Sequence, residues 1–260
     1  MSTTNVFAYV DGDIDGVEDK DDKCPNTRIS DLVDSSGCSI KSLQNPHHFD
    51  ILLGSSYSQA NYNTNELSDT FFTTVMLDYY YKNFSVGFST AYFSSNSKTS
   101  DQKGFNDSYL TLMYTIKNIQ NLSIQVGGGL ILPSYKSEFH NTTDYLCQLN
   151  LEYKFKKINI FASYSYTMIK DGDAKNYDIE YKNANTYDIG FGIFSNDQLH
   201  NSLSYSYEES IYTHTKPSQT LYLQTFYTIN QNWFATSSLG YGLNNTASTY
   251  SLSMQLGYYF

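Results

Sequence analysis

The chain has 260 residues, with 26 acidic against 16 basic side chains and a formal net charge of −10. This acidity argues against a nucleic-acid-binding protein, which presents a basic face to phosphates. Aromatic residues make up 17% of the sequence although its mean hydropathy is −0.45. There is no run of about 20 apolar residues that would predict a transmembrane helix.

The first 46 residues differ from the rest of the chain. Residues 1–10 lack the basic start and the apolar run of a signal peptide, so we interpret the chain as a mature form. A strongly acidic stretch follows, whose oxygen ligands stand in the order of an EF-hand-type calcium loop, with Gly16 at the sharp turn and Asp in place of the last Glu. The predicted Ca²⁺ ligands are Asp11, Asp13, Asp15, the carbonyl of Val17, Asp19 and Asp22.

The run from Asp11 to Cys38 resembles a thrombospondin type 3 calcium repeat. The resemblance implies a disulfide between Cys24 and Cys38, which suits an oxidising periplasm. Such repeats usually follow a barrel and lead to a peptidoglycan-binding domain, whereas this one precedes the barrel, so anchoring to the cell wall is not implied. We expect residues 1–46 to form a periplasmic calcium-binding segment; the alternative is a solvated acidic linker.

From residue 47 to residue 260, large apolar or aromatic side chains alternate with small or polar ones in about twelve stretches. The clearest stretch presents one apolar face, made of Tyr145, Cys147, Leu149, Leu151, Tyr153 and Phe155. Because successive side chains of a strand point to opposite faces, the pattern predicts an all-β fold, a transmembrane antiparallel β-barrel of about twelve strands. The last stretch, residues 250–260, ends on Phe260 and resembles the closing strand of bacterial outer-membrane barrel proteins.

The predicted connections alternate between long and short, as they do in outer-membrane barrels with short periplasmic turns and longer outer loops. Residues 94–106 form one of the long polar connections and predict a loop. With an even number of strands, both the N-terminal segment and the C-terminus are expected in the periplasm of a Gram-negative bacterium.

A barrel of twelve strands is intermediate in size between small barrels filled by side chains and wide aqueous porins. The strand number is therefore compatible both with a filled lumen and with a narrow channel. The charged side chains predicted to line the pore are Asp50, Asp78, Asp144, Glu152, Lys154, Asp188 and Glu208. Acidic residues predominate, which favours cations if a channel exists. The only arginine, Arg28, lies outside the barrel, so the arginine ladder of general diffusion porins is missing.

Aromatic side chains also point inward in the predicted barrel and either constrict the lumen or stack on a ligand such as a sugar or a nucleoside. They include Phe72, Tyr80, Phe93, Tyr109, Tyr222 and Phe226. We predict a narrow porin-like channel for small solutes, surrounded by outer-membrane lipid and not an enzyme. The alternatives are a non-conducting structural barrel that binds a partner, for instance in the periplasm, and a hydrolase; but no nucleophile motif accompanies the loop histidines His140 and His214.

Overall fold

The fold is taken from a computed structural model that describes residues 47–61, 67–119, 121–134, 142–173 and 179–260, with residues 11, 13, 15–17, 19, 21–25, 27 and 33–39 of the N-terminal segment. The described residues form thirteen strands: β1 (His47–Ala60), β2 (Ser68–Tyr81), β3 (Phe84–Ser97), β4 (Asp101–Phe105), β5 (Ser108–Ile119), β6 (Leu122–Leu132), β7 (Asp144–Phe155), β8 (Ile158–Met168), β9 (Ala184–Asn196), β10 (Leu199–Glu208), β11 (Ser218–Thr228), β12 (Trp233–Gly242) and β13 (Tyr250–Tyr259). The described residues include no helix that is long and apolar enough to cross a membrane.

Twelve of these strands, all except β4, close into one antiparallel barrel. Each strand pairs with its neighbours in the chain, β3 pairs with β5, and β1 closes the ring against β13. The closing seam runs from Asp50 opposite Tyr259 to Gln59 opposite Tyr250, and the amide of Phe260 donates to the carbonyl of Phe49 at 2.9 Å. The predicted all-β barrel of twelve strands is therefore confirmed.

The polar stretch 94–106 is not simply a loop, and that prediction is wrong. β3 continues to Ser97, and β4 folds back against it, with Tyr92 opposite Phe105 and Asn96 opposite Asp101. Most side chains of β4 are exposed, because this hairpin extends past the barrel wall and has no apolar side to bury. Without two unlike faces, its sequence has no period-two signal.

The two ends of the barrel differ, and we call them the short-turn end and the loop end. At the short-turn end, Lys82, Asn121 and Lys156 adopt positive φ angles of 54°, 60° and 53°, as tight hairpin turns that match the twist of the strands require. β1 begins and β13 ends at this same end. The alternation of long and short connections thus places both barrel ends of the chain beside the short turns.

The outer and inner faces of the wall follow the alternation of the sequence. The outer face is a continuous apolar surface on which Leu53, Ile160 and Met254 are 58%, 55% and 60% exposed. The inner face is mostly hydroxyl, amide and glycine, with scattered rings and carboxylates. A few inward apolar side chains are buried, such as Ile131 and Leu146, but no large side chain among the described residues is fully buried.

Candidate functional site: the barrel lumen and the N-terminal acidic segment

All seven charged side chains predicted to line the pore lie on the inner face. Asp50 is the cross-strand partner of Asp78, and the same inward set of alternate positions contains the others. Asp50 and Asp144 are each only 7% exposed, so their carboxylates are held against the wall. They do not form one cluster. Asp78, Asp144 and Glu208 line one cavity of the lumen and Glu152 lines another. Asp50, Asp188 and Lys154 line neither of these cavities.

A cavity of about 520 Å³ lies towards the loop end, and we call it the loop-side cavity. Its carboxylates are Asp78, Asp107, Asp144, Glu208 and Glu209. None of its described lining residues is a lysine or an arginine. This half of the lumen is therefore strongly electronegative, an arrangement that concentrates cations and repels anions.

Hydrogen bonds fix several of these carboxylates. The amide of Lys170 donates to Asp144 at 2.6 Å, and the hydroxyl of Ser163 donates to the nearby Asp188 at 2.7 Å. Just beyond β10, the side-chain and backbone N–H groups of Asn185 donate to Glu209 and hold the pKa of that carboxyl below its usual range. Fixed carboxylates keep the charge at defined places in the lumen.

A second cavity, of about 720 Å³, lies towards the short turns, and we call it the turn-side cavity. Most of its lining is neutral and polar, and Glu152 is the one charged side chain among the described residues that line it. Asn159 donates to Glu152 at 2.7 Å, and the oxygen of the same amide lies 3.0 Å from Nε2 of His200. Because the Asn159 amide turns its NH₂ to the carboxylate, its oxygen faces the imidazole, and Nε2 of His200 carries the proton.

Rings line one side of the lumen near the short turns in an arc that crosses neighbouring strands. His48 stacks on Tyr80 and on Tyr259 with centroid distances of 4.4 and 5.2 Å. Phe234 lies 6.4 Å from Tyr259 and 5.4 Å from Phe226, and His200 is the cross-strand partner of Phe226. We call this set, His48, Tyr80, Tyr259, Phe234, Phe226 and His200, the aromatic arc.

Glycines on neighbouring strands leave space for two rings of the aromatic arc, Phe234 and His200, to lie close to the backbone. A Cβ added to Gly257 would collide with the ring of Phe234, and one added to Gly192 would collide with His200. Glycine thus permits a close approach that no other residue allows. The rings of Phe234 and His200 therefore lie close against the backbone of neighbouring strands.

Sequence reasoning found some of these residues and missed others. Alternation identified Phe226 and Tyr80 as inward, but Asp107 lies in a connection, where alternation gives no signal. His200 and Asn159 are inward by the same alternation, yet their pairing requires the register of β8, β9 and β10 to be known.

In the N-terminal segment, three of the predicted ligands come together. Carboxylate oxygens of Asp11, Asp13 and Asp15 lie within 4.8 Å of one another. Gly16, with a φ of 93°, turns the chain so that its amide donates to Asp11 at 2.9 Å, and the amide of Val17 donates to Asp15 at 2.9 Å. Asp19 is exposed and stands outside this group of three.

Burial raises the pKa of Asp15 to about 7, and the neighbouring carboxylates of Asp13, Asp22 and Asp11 add to the rise, against the lowering effect of the Val17 amide. The Oδ2 atom of Asp15 is buried without a hydrogen-bond donor among the described residues. Asp22 accepts from the amide of Cys24 at 2.8 Å, and a Cβ on Gly37 would meet the carboxylates of both Asp22 and Asp15. The missing side chain of Gly37 therefore leaves space for the carboxylates of Asp22 and Asp15 to lie beside the same stretch of backbone.

Cys24 and Cys38 form a disulfide with a Cα–Cα distance of 5.0 Å, as the resemblance implied. It joins the acidic loop to a turn in which the amide and the hydroxyl of Ser36 donate to Asp34 at 2.8 and 2.6 Å. These hydrogen bonds keep the pKa of Asp34 below its usual range, and the bond from the hydroxyl has the larger effect. Gly16 of the acidic segment lies near the turn between β9 and β10, since a Cβ built on it would be 3.5 Å from the carboxylate of Asp197.

No protein-family model and no curated protein sequence matches the chain. Solved structures share its fold. The NanC porin is 15% identical, with a TM-score of 0.52 over 82% of this chain and 98% of that chain. The KdgM porin is 12% identical, with a TM-score of 0.50 over 81% and 99% of the two chains. The β domain of the Bordetella autotransporter BrkA is 9% identical, with a TM-score of 0.55 over 82% and 99%. The chain is thus similar in fold to outer-membrane barrels, and porins are among them.

Proposed function

We propose that this protein is a narrow channel of the bacterial outer membrane that passes small solutes and prefers cations. The observation that carries the proposal is space inside the barrel: two cavities of about 720 and 520 Å³ are lined by inward side chains, and no large side chain among the described residues is fully buried. A barrel that serves only as a scaffold would fill its inside with side chains.

The preference for cations follows from the charges of the loop-side cavity. Asp78, Asp144 and Glu208 face the lumen there without a lysine or arginine in the described lining. The KdgM porin is known in complex with disordered oligogalacturonate, a polyanion. The acidic lumen of this chain would repel a polyanion, so the proposed solutes do not include oligogalacturonate.

The location and orientation belong to the same proposal. The outward apolar surface matches lipid, and the short turns would face the periplasm, as in other outer-membrane barrels. The N-terminal segment would then be periplasmic, since Gly16 lies near the short turn that contains Asp197. A protease added to intact cells should cut the long connections and spare the N-terminal segment.

Conductance tests the channel. The folded, heat-modifiable protein in a planar bilayer should show discrete current steps, and its reversal potential in a KCl gradient should indicate a preference for K⁺. If a correctly folded preparation gives no current above background, the barrel is a structural or partner-binding protein, and the channel proposal is wrong.

We further propose that residues 1–46 form a calcium-binding segment separate from the barrel at residues 47–260. The support is chemical: a hard cation prefers an oxygen-rich shell, and the buried Oδ2 of Asp15 has no described donor. Asp11, Asp13, Asp15 and Asp22 would hold Ca²⁺ through their carboxylates; the metal would neutralise their repulsion.

Calorimetric titration with Ca²⁺ tests this site in the full chain. Asp13→Ala should abolish the heat of binding, whereas Asp21→Ala, which removes an exposed carboxylate of the same segment outside the predicted ligand set, should preserve it. Chelation should lower the protease resistance of residues 8–40 and leave the barrel intact. Absence of heat from the unaltered protein, or equal binding by the Asp13 variant, would show that the segment is a solvated linker.

A further inference from the structure

The two cavities of the lumen differ in the chemistry of their linings. The loop-side cavity is lined by carboxylates, whereas the turn-side cavity is lined mostly by neutral polar groups. Its walls bring hydroxyl and amide groups from seven strands to one space, and Glu152 is the one charged side chain in the described lining. Several of these polar groups are already oriented by their neighbours: Ser202 donates to Gln224 at 3.3 Å, and Thr236 donates to Gln255 at 3.1 Å. Oriented neutral donors and acceptors recognise hydroxyl groups rather than charges.

Flat apolar surfaces face the same space. Phe226 and Phe161 both line the cavity, and Phe226 continues into the aromatic arc through Phe234 at 5.4 Å. Phe161 is seated like the arc residues, since a Cβ on Gly190 would lie 2.5 Å from its ring. The cavity therefore combines aromatic side chains held in place by their neighbours with a set of neutral polar groups in one lining.

We propose that the turn-side cavity is a binding site for the rings of an uncharged saccharide, an inference that rests on the channel function proposed above. A pyranose ring has an apolar C–H face and a rim of hydroxyl groups. Its C–H face fits the faces of Phe226 and Phe161, and its hydroxyl groups fit the amides and hydroxyls of the wall. A volume of about 720 Å³ lies within the usual range of small-molecule sites, roughly 300–1,000 Å³.

The charges of the lumen decide which saccharides are accepted. An acidic sugar approaching from the loop end would pass Asp144 and Glu208 and then meet Glu152, with no lysine or arginine in the described lining of either cavity. Moving a carboxylate from water to such a site carries a desolvation penalty, which no lysine or arginine of the described lining offsets. A neutral sugar of the same skeleton carries no such penalty, so the site discriminates by charge.

The test compares galactotriose with trigalacturonate, which share a ring skeleton and differ in the carboxylates. Binding is measured by calorimetry on the full-length protein in detergent and by sugar-induced block of the single-channel current. Galactotriose should bind and block, and trigalacturonate should bind at least about tenfold more weakly. Phe226→Ala should weaken galactotriose binding by about three- to tenfold, the effect of losing one stacking partner.

Tyr227→Ala is the matched control, because it removes an aromatic ring from the next residue, which faces outward. It should leave sugar affinity unchanged. Phe226→Leu serves if the alanine variant does not fold: it fills the space without a ring face, so it should also weaken binding.

The outcomes separate this inference from the channel proposal. Current steps without binding of galactotriose would overturn the saccharide site and leave the channel in place. Equal binding of the two trisaccharides would also overturn it, as would full affinity in a folded Phe226 variant, since the rings would then be purely structural. Binding without current would refute the channel and leave the site as a receptor site.

Discussion

Removing two carboxylates from the loop-side cavity should lower the cation-to-anion permeability ratio of the channel. The perturbation is the double variant Asp144→Asn/Glu208→Gln, which keeps an oxygen acceptor at each position, so that the bond from the Lys170 amide is preserved. Twelve strands about 4.8 Å apart and tilted by about 40° close into a cylinder of about 12 Å radius. A carboxylate that reaches about 5 Å inward then lies roughly 7 Å from the axis.

At about 7 Å in water, a unit charge contributes about 0.6 kcal/mol, and screening at 0.1 M salt reduces this to about 0.3 kcal/mol. Two carboxylates therefore stabilise a cation on the axis by about 0.6 kcal/mol and destabilise an anion by the same amount. The combined difference of about 1.2 kcal/mol corresponds to about a sevenfold fall in the cation-to-anion permeability ratio.

The assay is the reversal potential of the channel in a KCl gradient, recorded for the unaltered protein and the double variant. Glu180→Gln is the control, because Glu180 is 54% exposed in the connection before β9 and its carboxylate lies 3.8 Å from Nε2 of His214. The control should leave the permeability ratio unchanged. An unchanged ratio in the double variant, or a preference for anions in the unaltered protein, would refute the electrostatic argument.

Three further changes test the fold. Replacing Cys24 and Cys38 by alanine should destabilise the N-terminal segment by about 3 kcal/mol, given a sequence separation of 14; limited proteolysis should show faster cutting there and an unchanged barrel. Gly257→Val should destabilise the barrel by about 1–3 kcal/mol, because the added atoms collide with the ring of Phe234; an unchanged urea midpoint in liposomes would contradict the seated ring. Leu149→Arg, on the outer face of β7, should cost about 2–4 kcal/mol if it lies at mid-bilayer, and no cost would mean that this face does not meet lipid.

The wall of the barrel was predictable because lipid and water impose opposite demands on alternate residues. In β7 the outward Tyr145 and Leu149 alternate with the inward Asp144 and Asn150, and this contrast persists wherever the strand lies between the two environments. β4 lacks the contrast, so its residues predicted a loop. Alternation therefore detects the part of a strand that crosses the bilayer and misses the part that extends beyond it.

The arrangement of the lumen was less predictable, because it depends on register. The sequence shows that Asn159 and His200 face inward, but it takes the pairing of β8, β9 and β10 to bring them to 3.0 Å. The glycine that seats each ring lies on a neighbouring strand, as Gly257 does for Phe234. The acidic loop was predictable from the sequence because its arrangement is local. Its ligands lie within about a dozen residues, where spacing alone brings side chains together.

The seam between β1 and β13 determines the order in which this barrel can form. Tyr250 donates to Gln59 across 191 positions of the chain, whereas Asn159 donates to Glu152 across 7. Closing the longer loop costs about 3 kcal/mol more in chain entropy than closing the shorter hairpin. That cost is recovered only when the intervening strands have paired and brought the two edges together. The hairpins are thus expected to form early and the seam last. An unpaired edge on β1 or β13 would mark the intermediate that precedes closure.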